Sequence, residues 1–286
     1  GVALLGFVLG IVILFAAHKM AINYQFTEPT ADYNLLGTMS ESQEKKAKET
    51  TEKDNYFLEK YRYDYDITEE KLKEAIKKPN RLSSGHRMCA GCGAPVVANA
   101  ILRGLKEEDH AVIGSATGCL EVSTFIYPYT AWQDSFIHSA FENAGATVSG
   151  AEAAYTAMKR KGTLPTDKDV KFIAFGGDGG TYDIGLQSLS GAMERGHDMV
   201  YVCYDNGAYM NTGIQRSSAT PKFADTTTSP AGKVIPGKMQ SRKDLAKIMA
   251  GHHLPYVAQT AAYGNFKDLY EKSEKAIYTK GACFLN

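Results

Sequence analysis

A glycine-rich segment with one carboxylate is the strongest chemical signal in the sequence. GGDGG (residues 176–180) follows the apolar run 171–175 and precedes a helical pattern. Glycines let the backbone turn sharply and approach a ligand closely, and the free N–H groups at the start of a helix bind phosphate. Asp178 supplies a hard oxygen ligand of the kind that suits Mg²⁺. The segment therefore predicts a phosphate and metal site.

A second polar residue follows the next buried strand. Asn206 ends the segment MVYVCYDN and lies 28 positions after Asp178. Because ligands of parallel sheets bind at the carboxyl ends of the strands, both side chains are expected over a single diphosphate–metal group. The alternatives are a plain tight turn and a Rossmann dinucleotide site. The Rossmann site fits less well because GGDGG is not GxGxxG.

The cysteines form the second chemical signal. Cys89 and Cys92 make a CxxC pair in a Gly-rich segment, and Cys119 follows with 26 residues between it and Cys92. Such a set is typical of zinc or an iron–sulfur cluster, both of which want four ligands; buried free thiols are the alternative. Cys203, in line with the valines of an apolar strand, and Cys283 are expected to be small core residues.

Short apolar runs alternate with helical patterns from about residue 83 onward. This alternation predicts a doubly wound α/β domain with a mainly parallel sheet. The predicted strands are 111–114, 171–175, 199–204 and 256–259, and GACFLN at the end of the chain is also strand-like. The predicted helices are 94–106, 143–160, 184–195, 241–251 and 266–279.

The first 82 residues have a different character. Residues 2–17 are uncharged and mostly apolar, so residues 1–20 are interpreted as a candidate transmembrane helix. The alternatives are a buried helix and a stretch that belongs to an unrelated upstream element. Residues 21–82 are interpreted as a polar linker or arm. Within it, Thr68 is expected to cap a short helix that Pro79 ends. The α/β domain then occupies residues 83–286.

Composition excludes several classes of protein. The 286 residues carry 32 Lys+Arg and 32 Asp+Glu, a formal net charge of zero, which argues against a nucleic-acid binder that relies on charge. Five cysteines in a chain of this length do not make a disulfide scaffold. The chain starts at Gly1 and stops at Asn286 inside an apolar run, so we expect it to be a fragment.

The spacing of Asp178 and Asn206 resembles the thiamine diphosphate motif, in which GDG is followed by Asn. Longer stretches resemble one family, the β subunit of pyruvate:ferredoxin oxidoreductase (pyruvate synthase). They include SGHRMCAGCGAP, ATGCLEVSTFIYPYTAW, FIHSAFENAGATVSGAEAAY, FIAFGGDGGTYDIGLQSLSGAMERGHD, YDNGAYMNTGIQRS and DTTTSPAGKVIPGK. The resemblance covers residues 83–286.

The resemblance implies roles for individual residues. Asp178, Asn206 and the backbone carbonyl of Ala208 match the Mg²⁺ positions. Asn211 matches an asparagine close to the thiazolium ring and the substrate, and is the implied catalytic residue. The implied cofactor-binding residues are Gly118, Gly177, Asp178, Gly179, Asn206 and Asn211. The implied ligands of a [4Fe–4S] cluster are Cys89, Cys92 and Cys119.

The resemblance also implies an activity and partners. The family oxidatively decarboxylates pyruvate on thiamine diphosphate, forms acetyl-CoA from coenzyme A, and passes electrons through iron–sulfur clusters to ferredoxin. The glutamate that activates the cofactor and most substrate contacts come from an α subunit, so this chain is expected to be inactive alone. Glu121, Glu142, His86 and His138 are expected to be structural. No nucleic-acid partner is expected.

Two departures from the family bear on location and on the cluster. The fourth cluster cysteine of the family follows the strand that GACFLN resembles, so we expect it beyond Asn286 and do not assign the role to Cys283. A hydrophobic segment such as 2–17 is unusual for a cytoplasmic family; the catalytic domain is expected in the cytoplasm, with an anchor left open.

Three alternatives remain at this point. They are a β subunit specific for another 2-oxoacid, a non-oxidative thiamine diphosphate enzyme, and a membrane-tethered zinc-binding scaffold. The non-oxidative enzyme leaves Cys89, Cys92 and Cys119 without a role, and the scaffold predicts no binding of thiamine diphosphate.

Overall fold

A computed structural model describes residues 68–126, 128–164, 169–261 and 263–286, which belong to a compact unit spanning Tyr65–Asn286. The helices in chain order are α1 (Glu69–Lys77), α2 (Gly93–Leu102), α3 (Cys119–Thr124), α4 (Ala144–Lys161), α5 (Leu186–Glu194), α6 (Leu245–Ala250) and α7 (Phe266–Tyr278). One turn of π-helix, Gly180–Ile184, precedes α5.

The strands form one large sheet and two small hairpins. They are β1 (His110–Ala116), β2 (Phe125–Ile126), β3 (Tyr129–Thr130), β4 (Ser135–Ser139), β5 (Val170–Gly177), β6 (Met199–Tyr204), β7 (Ala208–Tyr209), β8 (Gln215–Arg216), β9 (Tyr256–Ala258) and β10 (Ala282–Leu285). The six-stranded sheet has the order β4-β1-β5-β6-β10-β9, and all of its pairs are parallel. The hairpins β2–β3 and β7–β8 are antiparallel.

Helices cover both faces of the sheet, as the doubly wound prediction requires. Helices α2 and α7 pack on one face, where Ile173 and Val202 point. Helices α4, α5 and α6 pack on the other face, where Tyr201 points. Because both faces are covered, the central strands are apolar on both sides and read as continuous hydrophobic runs. That is why β5 and β6 were visible in the sequence.

The two predicted core thiols are confirmed, with one correction. Cys203 and Cys283 are 3% and 0% exposed. Side chains of a strand alternate between faces, so Cys203 lies with Tyr201 on the face opposite Val202. The sequence interpretation, which aligned Cys203 with the valines, was wrong about the face and correct about the burial.

The short helix α1 is also confirmed. Thr68 caps it by accepting a hydrogen bond from the Lys71 N–H at 3.3 Å, and the helix ends at Lys77, two residues before Pro79. Ala75 packs with Tyr270 of α7. The helix, interpreted from the sequence as part of an arm, therefore belongs to the same compact unit as the sheet.

The strand β4 and the helix α3 were not predicted. Strand β4 is the edge of the sheet and is only half-buried, so SFIHS lacks the apolar run of a central strand. Within residues 68–286, the undescribed gaps aside, no helix has the length and apolarity to cross a membrane. The hydrophobic segment 2–17 lies outside the described residues.

Candidate functional site

Four loops at the carboxyl edge of the sheet enclose a cavity of about 220 Å³. They follow the strands β1, β4, β5 and β6, which occupy neighbouring positions in the sheet. All of the predicted cofactor-binding residues line this cavity: Gly118, Gly177, Asp178, Gly179, Asn206 and Asn211. The sheet topology thus brings together residues that lie up to 93 positions apart in the sequence.

Close packing explains the glycines of the turn after β5. A Cβ atom on Gly179 would collide with the ring of Tyr209, and one on Gly180 would collide with the carboxyl group of Glu142. Neither glycine has a positive φ, so the requirement is space and not a special backbone conformation. The two glycines therefore let Tyr209 and Glu142 pack directly against the turn.

The three predicted metal positions meet at one point. One terminal amide atom of Asn206 lies 2.9 Å from both the Ala208 carbonyl oxygen and Oδ1 of Asp178. With nitrogen in that place, Asn206 donates two hydrogen bonds. With oxygen in that place, three oxygens converge, and such an arrangement needs a cation. Amide orientation is an assignment made from surroundings, and the oxygen orientation is the donor set that Mg²⁺ prefers.

Asp178 is the buried member of this group. Its side chain is 1% exposed. Burial raises the pKa of Asp178 to about 6, while a hydrogen bond from the Ser217 hydroxyl acts in the opposite direction. A buried carboxylate without a cation is expensive. A divalent ion beside Asp178 would offset that cost.

Glu142 is a residue of the cavity whose expected role the structure does not support. It was expected to form structural hydrogen bonds, but its Oε2 is buried and has no hydrogen-bond partner. Burial raises the pKa of Glu142 to about 7. The sequence analysis named it but could not show its environment, which depends on its contact with Gly180 across the sheet edge.

Of the other residues expected to be structural, Glu121 and His138 have polar neighbours, whereas His86 does not fit the expectation. Glu121 is buried and lies 3.8 Å from Nδ1 of His138, which also lies 3.3 Å from the Ser115 carbonyl oxygen. Both are therefore satisfied by neighbours, as expected. His86 has a buried Nδ1 without a hydrogen-bond partner.

The three predicted cluster cysteines are free thiols. Cys89 is exposed, while Cys92 and Cys119 are half-buried. Burial raises the pKa of the Cys119 thiol, and the neighbouring thiols of Cys92 and Cys89 add to this effect. Within the described ranges, no three His, Cys, Asp or Glu side chains are spaced to hold a metal ion. The cluster stays a prediction.

A larger cavity of about 800 Å³ adjoins the cofactor cavity. Cys92 lines the larger cavity, Cys119 lines the smaller one, and Tyr204 and Asn206 line both. In the lining of the larger cavity, Arg242 pairs with Asp205 and donates a hydrogen bond to the Tyr182 hydroxyl at 2.9 Å. Cys92 and Cys119 thus line two neighbouring cavities.

Comparison with known proteins identifies the class of this site. A family model described as "Thiamine pyrophosphate enzyme, C-terminal TPP binding domain" matches residues 113–286. In structure, the chain resembles a 2-oxoglutarate:ferredoxin oxidoreductase from Magnetococcus marinus, with a TM-score of 0.59 over 78% of this chain and 68% of that chain. Since that pair is 22% identical, the likeness shows a common fold. Fold and site together define a thiamine-pyrophosphate-binding domain.

Similar curated proteins show which family within this class the chain belongs to. The chain is 54% identical to the pyruvate synthase subunit PorB of Thermotoga maritima over 74% of this chain and 65% of the relative. It is 54% identical to PorB of Methanothermobacter thermautotrophicus over 74% of this chain and 70% of the relative. The chain therefore belongs to the PorB family of pyruvate synthase subunits. It spans about two thirds of the length of these relatives.

Proposed function

We propose that this chain is the thiamine-diphosphate-binding subunit of a pyruvate:ferredoxin oxidoreductase. The complete enzyme would convert pyruvate and coenzyme A to acetyl-CoA and CO₂ and pass two electrons to ferredoxin. The choice of pyruvate follows the PorB relatives. The observation that carries the proposal is the meeting of Asp178, Asn206 and Ala208 beside the glycine-rich turn in a chain of that family.

The chain's own residues would bind and orient the cofactor. Asp178, the Asn206 side chain and the Ala208 carbonyl would hold Mg²⁺, which would supply positive charge for the diphosphate. Backbone N–H groups near Gly179 and Gly180 would bind phosphate oxygens. Thiamine diphosphate supplies the carbanion chemistry of 2-oxoacid decarboxylation when it is bound. Asn211 lines the same cavity, and its amide would donate a hydrogen bond to the reacting substrate.

The three cysteines would hold a [4Fe–4S] cluster that accepts electrons from the cofactor. Cys92 immediately precedes α2, and Cys119 is the first residue of α3. Iron binds the thiolate form of cysteine, and free backbone N–H groups at the start of a helix would donate to the sulfur atoms. This chemistry requires a reducing compartment, so we place the domain in the cytoplasm.

Partner subunits would complete the active site. Glu142 packs against Gly180 in the turn after β5, so it would lie beside the diphosphate. We therefore assign the activating glutamate to an α subunit. Phe141 and Ile184 line the cavity, yet their side chains are 68% and 65% exposed. Large apolar side chains around an opening are typical of an interaction surface.

The metal assignment is tested on the chain assembled with its partner subunits. We expect Asp178→Asn to abolish both Mg²⁺-dependent binding of thiamine diphosphate and pyruvate-dependent reduction of ferredoxin. The matched control is Asp198→Asn, because Asp198 precedes β6 at the opposite end of the strand and pairs with Lys280. Calorimetric titration with the cofactor and a reduction assay measure the two effects. Normal cofactor affinity in Asp178→Asn would overturn the proposal.

The cluster assignment is tested by iron and sulfide analysis of the same assembly. We expect Cys119→Ala to lose the iron and sulfide of one cluster and its absorbance, while cofactor binding persists. Cys283→Ala is the control, since Cys283 is buried within β10. Retention of every cluster in Cys119→Ala would contradict the assignment, and zinc in place of iron would favour the scaffold alternative.

A further inference from the structure

A buried serine lies directly behind the proposed metal ligand. Ser217 is 0% exposed, and its hydroxyl donates a hydrogen bond to Oδ2 of Asp178 at 2.5 Å. The other carboxyl oxygen, Oδ1, accepts from the Asn206 backbone N–H at 3.4 Å and faces the Asn206 amide. Ser217 therefore fixes the rotation of the carboxyl group and leaves Oδ1 directed at the metal position.

A second buried hydroxyl, three residues later, holds the other two metal positions. Thr220 is 1% exposed, and its hydroxyl donates to the carbonyl oxygen of Gly207 at 2.5 Å. Gly207 lies between Asn206 and Ala208 and has a positive φ of 80°. The Thr220 oxygen also accepts from the Ser217 N–H at 2.9 Å. One short loop thus contacts both halves of the metal site.

The loop itself is anchored from outside. The amine of Lys238, a side chain only 1% exposed, donates to the Thr220 carbonyl oxygen at 2.5 Å. Arg242 donates to the Ala219 carbonyl oxygen at 3.0 Å. Because its backbone carbonyls are held in this way, the loop has little freedom to follow a displaced carboxylate.

We propose that Ser217 and Thr220 form a positioning pair that sets the separation of Asp178 from the Asn206–Ala208 turn and thereby tunes affinity for Mg²⁺. This inference rests on the proposed function, since it takes these residues as Mg²⁺ ligands. Partners that orient metal ligands typically contribute 10–100-fold in metal affinity. The pair acts through the ligands and touches no substrate.

The test measures Mg²⁺ affinity separately from cofactor affinity. The protein is purified with its partner subunits, stripped of metal, and titrated with Mn²⁺ in the presence of saturating thiamine diphosphate. Free Mn²⁺ is followed by electron paramagnetic resonance. We expect Ser217→Ala and the isosteric Thr220→Val each to raise the Kd for the metal by about 10–100-fold, and excess Mg²⁺ to restore cofactor binding.

The adjacent serine provides a matched control. The backbone N–H of Ser218 donates to Asp183 at 2.9 Å, and its hydroxyl also contacts Asp183, a residue outside the metal site. Ser218→Ala is expected to keep the metal Kd within about twofold of wild type. Equal metal affinities for Ser217→Ala, Thr220→Val and Ser218→Ala would overturn the positioning role proposed for Ser217 and Thr220. Wild-type protein that binds no metal with the cofactor would overturn the Mg²⁺ site itself.

Discussion

Glu142 has an environment that makes the stability of the chain depend on pH. Its neighbouring titratable groups are the hydroxyls of Tyr201, Tyr204 and Tyr209, whose pKa values burial raises. None of them is charged near neutral pH, so burial alone raises the pKa of Glu142 from 4.5 to about 7. The folded chain therefore holds this proton more tightly than the unfolded chain does. The resulting stabilisation is full below pH 4.5 and disappears as the pH rises through 7.

Replacement of Glu142 by Gln removes this dependence. Since Gln stays neutral, we expect Glu142→Gln to be more stable than wild type at pH 8 by about 1–3 kcal/mol. At pH 4.5 the two should be nearly equal. Urea unfolding of cofactor-free protein at both pH values measures the difference. Glu74→Gln, on the exposed surface of α1, is the control. A difference that is the same at both pH values would contradict the interpretation.

Some residues of the site can be recognised from the sequence around them, and others only from contacts with residues that are distant in sequence. Asp178, Asn206 and the three cysteines were found from the sequence because each has a distinctive neighbourhood along the chain. Ser217 was missed, and Glu142 was assigned only a structural role, because their partners Asp178 and Gly180 are 39 and 38 positions away in the sequence. The sequence around a serine or a glutamate contains no pattern that predicts such a contact.

At the scale of elements, strand β1 and helix α4 approach each other unusually closely. A Cβ atom on Gly114 of β1 would collide with Cγ2 of Val148, a fully buried side chain of α4. This contact lies immediately before the loop that carries Gly118 into the cofactor cavity. The position of that loop therefore depends on the absence of a side chain at Gly114.

A substitution at this contact tests its role in stability. We expect Gly114→Ala to lower the free energy of unfolding by about 1–3 kcal/mol because of overpacking. Gly150→Ala, at an exposed position of the same helix with no atom within 4 Å of the added Cβ, should be neutral or stabilise by up to about 1 kcal/mol. Chemical unfolding measures both. In a Val148→Ala background, Gly114→Ala should lower the free energy of unfolding by less. An equal loss in both backgrounds would contradict the assignment of the effect to the contact with Val148.

Elements with apolar sequences were the easiest to predict. Strand β6 was predicted with the bounds that the structure shows. It is buried on both faces, and such a strand has an uninterrupted apolar sequence. Strand β4 was missed because the edge position leaves it half-exposed. Helix α6 begins at Leu245, later than predicted, because the Asp244 side chain caps it by accepting from the Lys247 N–H. Periodicity shows neither edge position nor capping of this kind.

At the scale of the whole molecule, the apolar rim of the cofactor cavity should govern assembly. We expect Phe141→Glu and Ile184→Glu each to reduce copurification of partner subunits, because a charge on a buried interface is costly. Met158→Glu is the matched control, since Met158 is 41% exposed on the outer surface of α4. Affinity purification with a tag on this chain, followed by size-exclusion chromatography, measures the effect. Unchanged complexes in both rim variants would contradict the assigned surface.

The two cavities have Tyr204 and Asn206 in common in their linings. Tyr204 lines both of them, is 9% exposed, and has its hydroxyl 2.8 Å from where a Cβ of Gly118 would lie. The ring of Tyr204 therefore forms part of the wall between the two cavities. A small residue at position 204 would join the two cavities into one. The separation of the two cavities thus depends on the size of a side chain that is assigned neither to the metal nor to the phosphate.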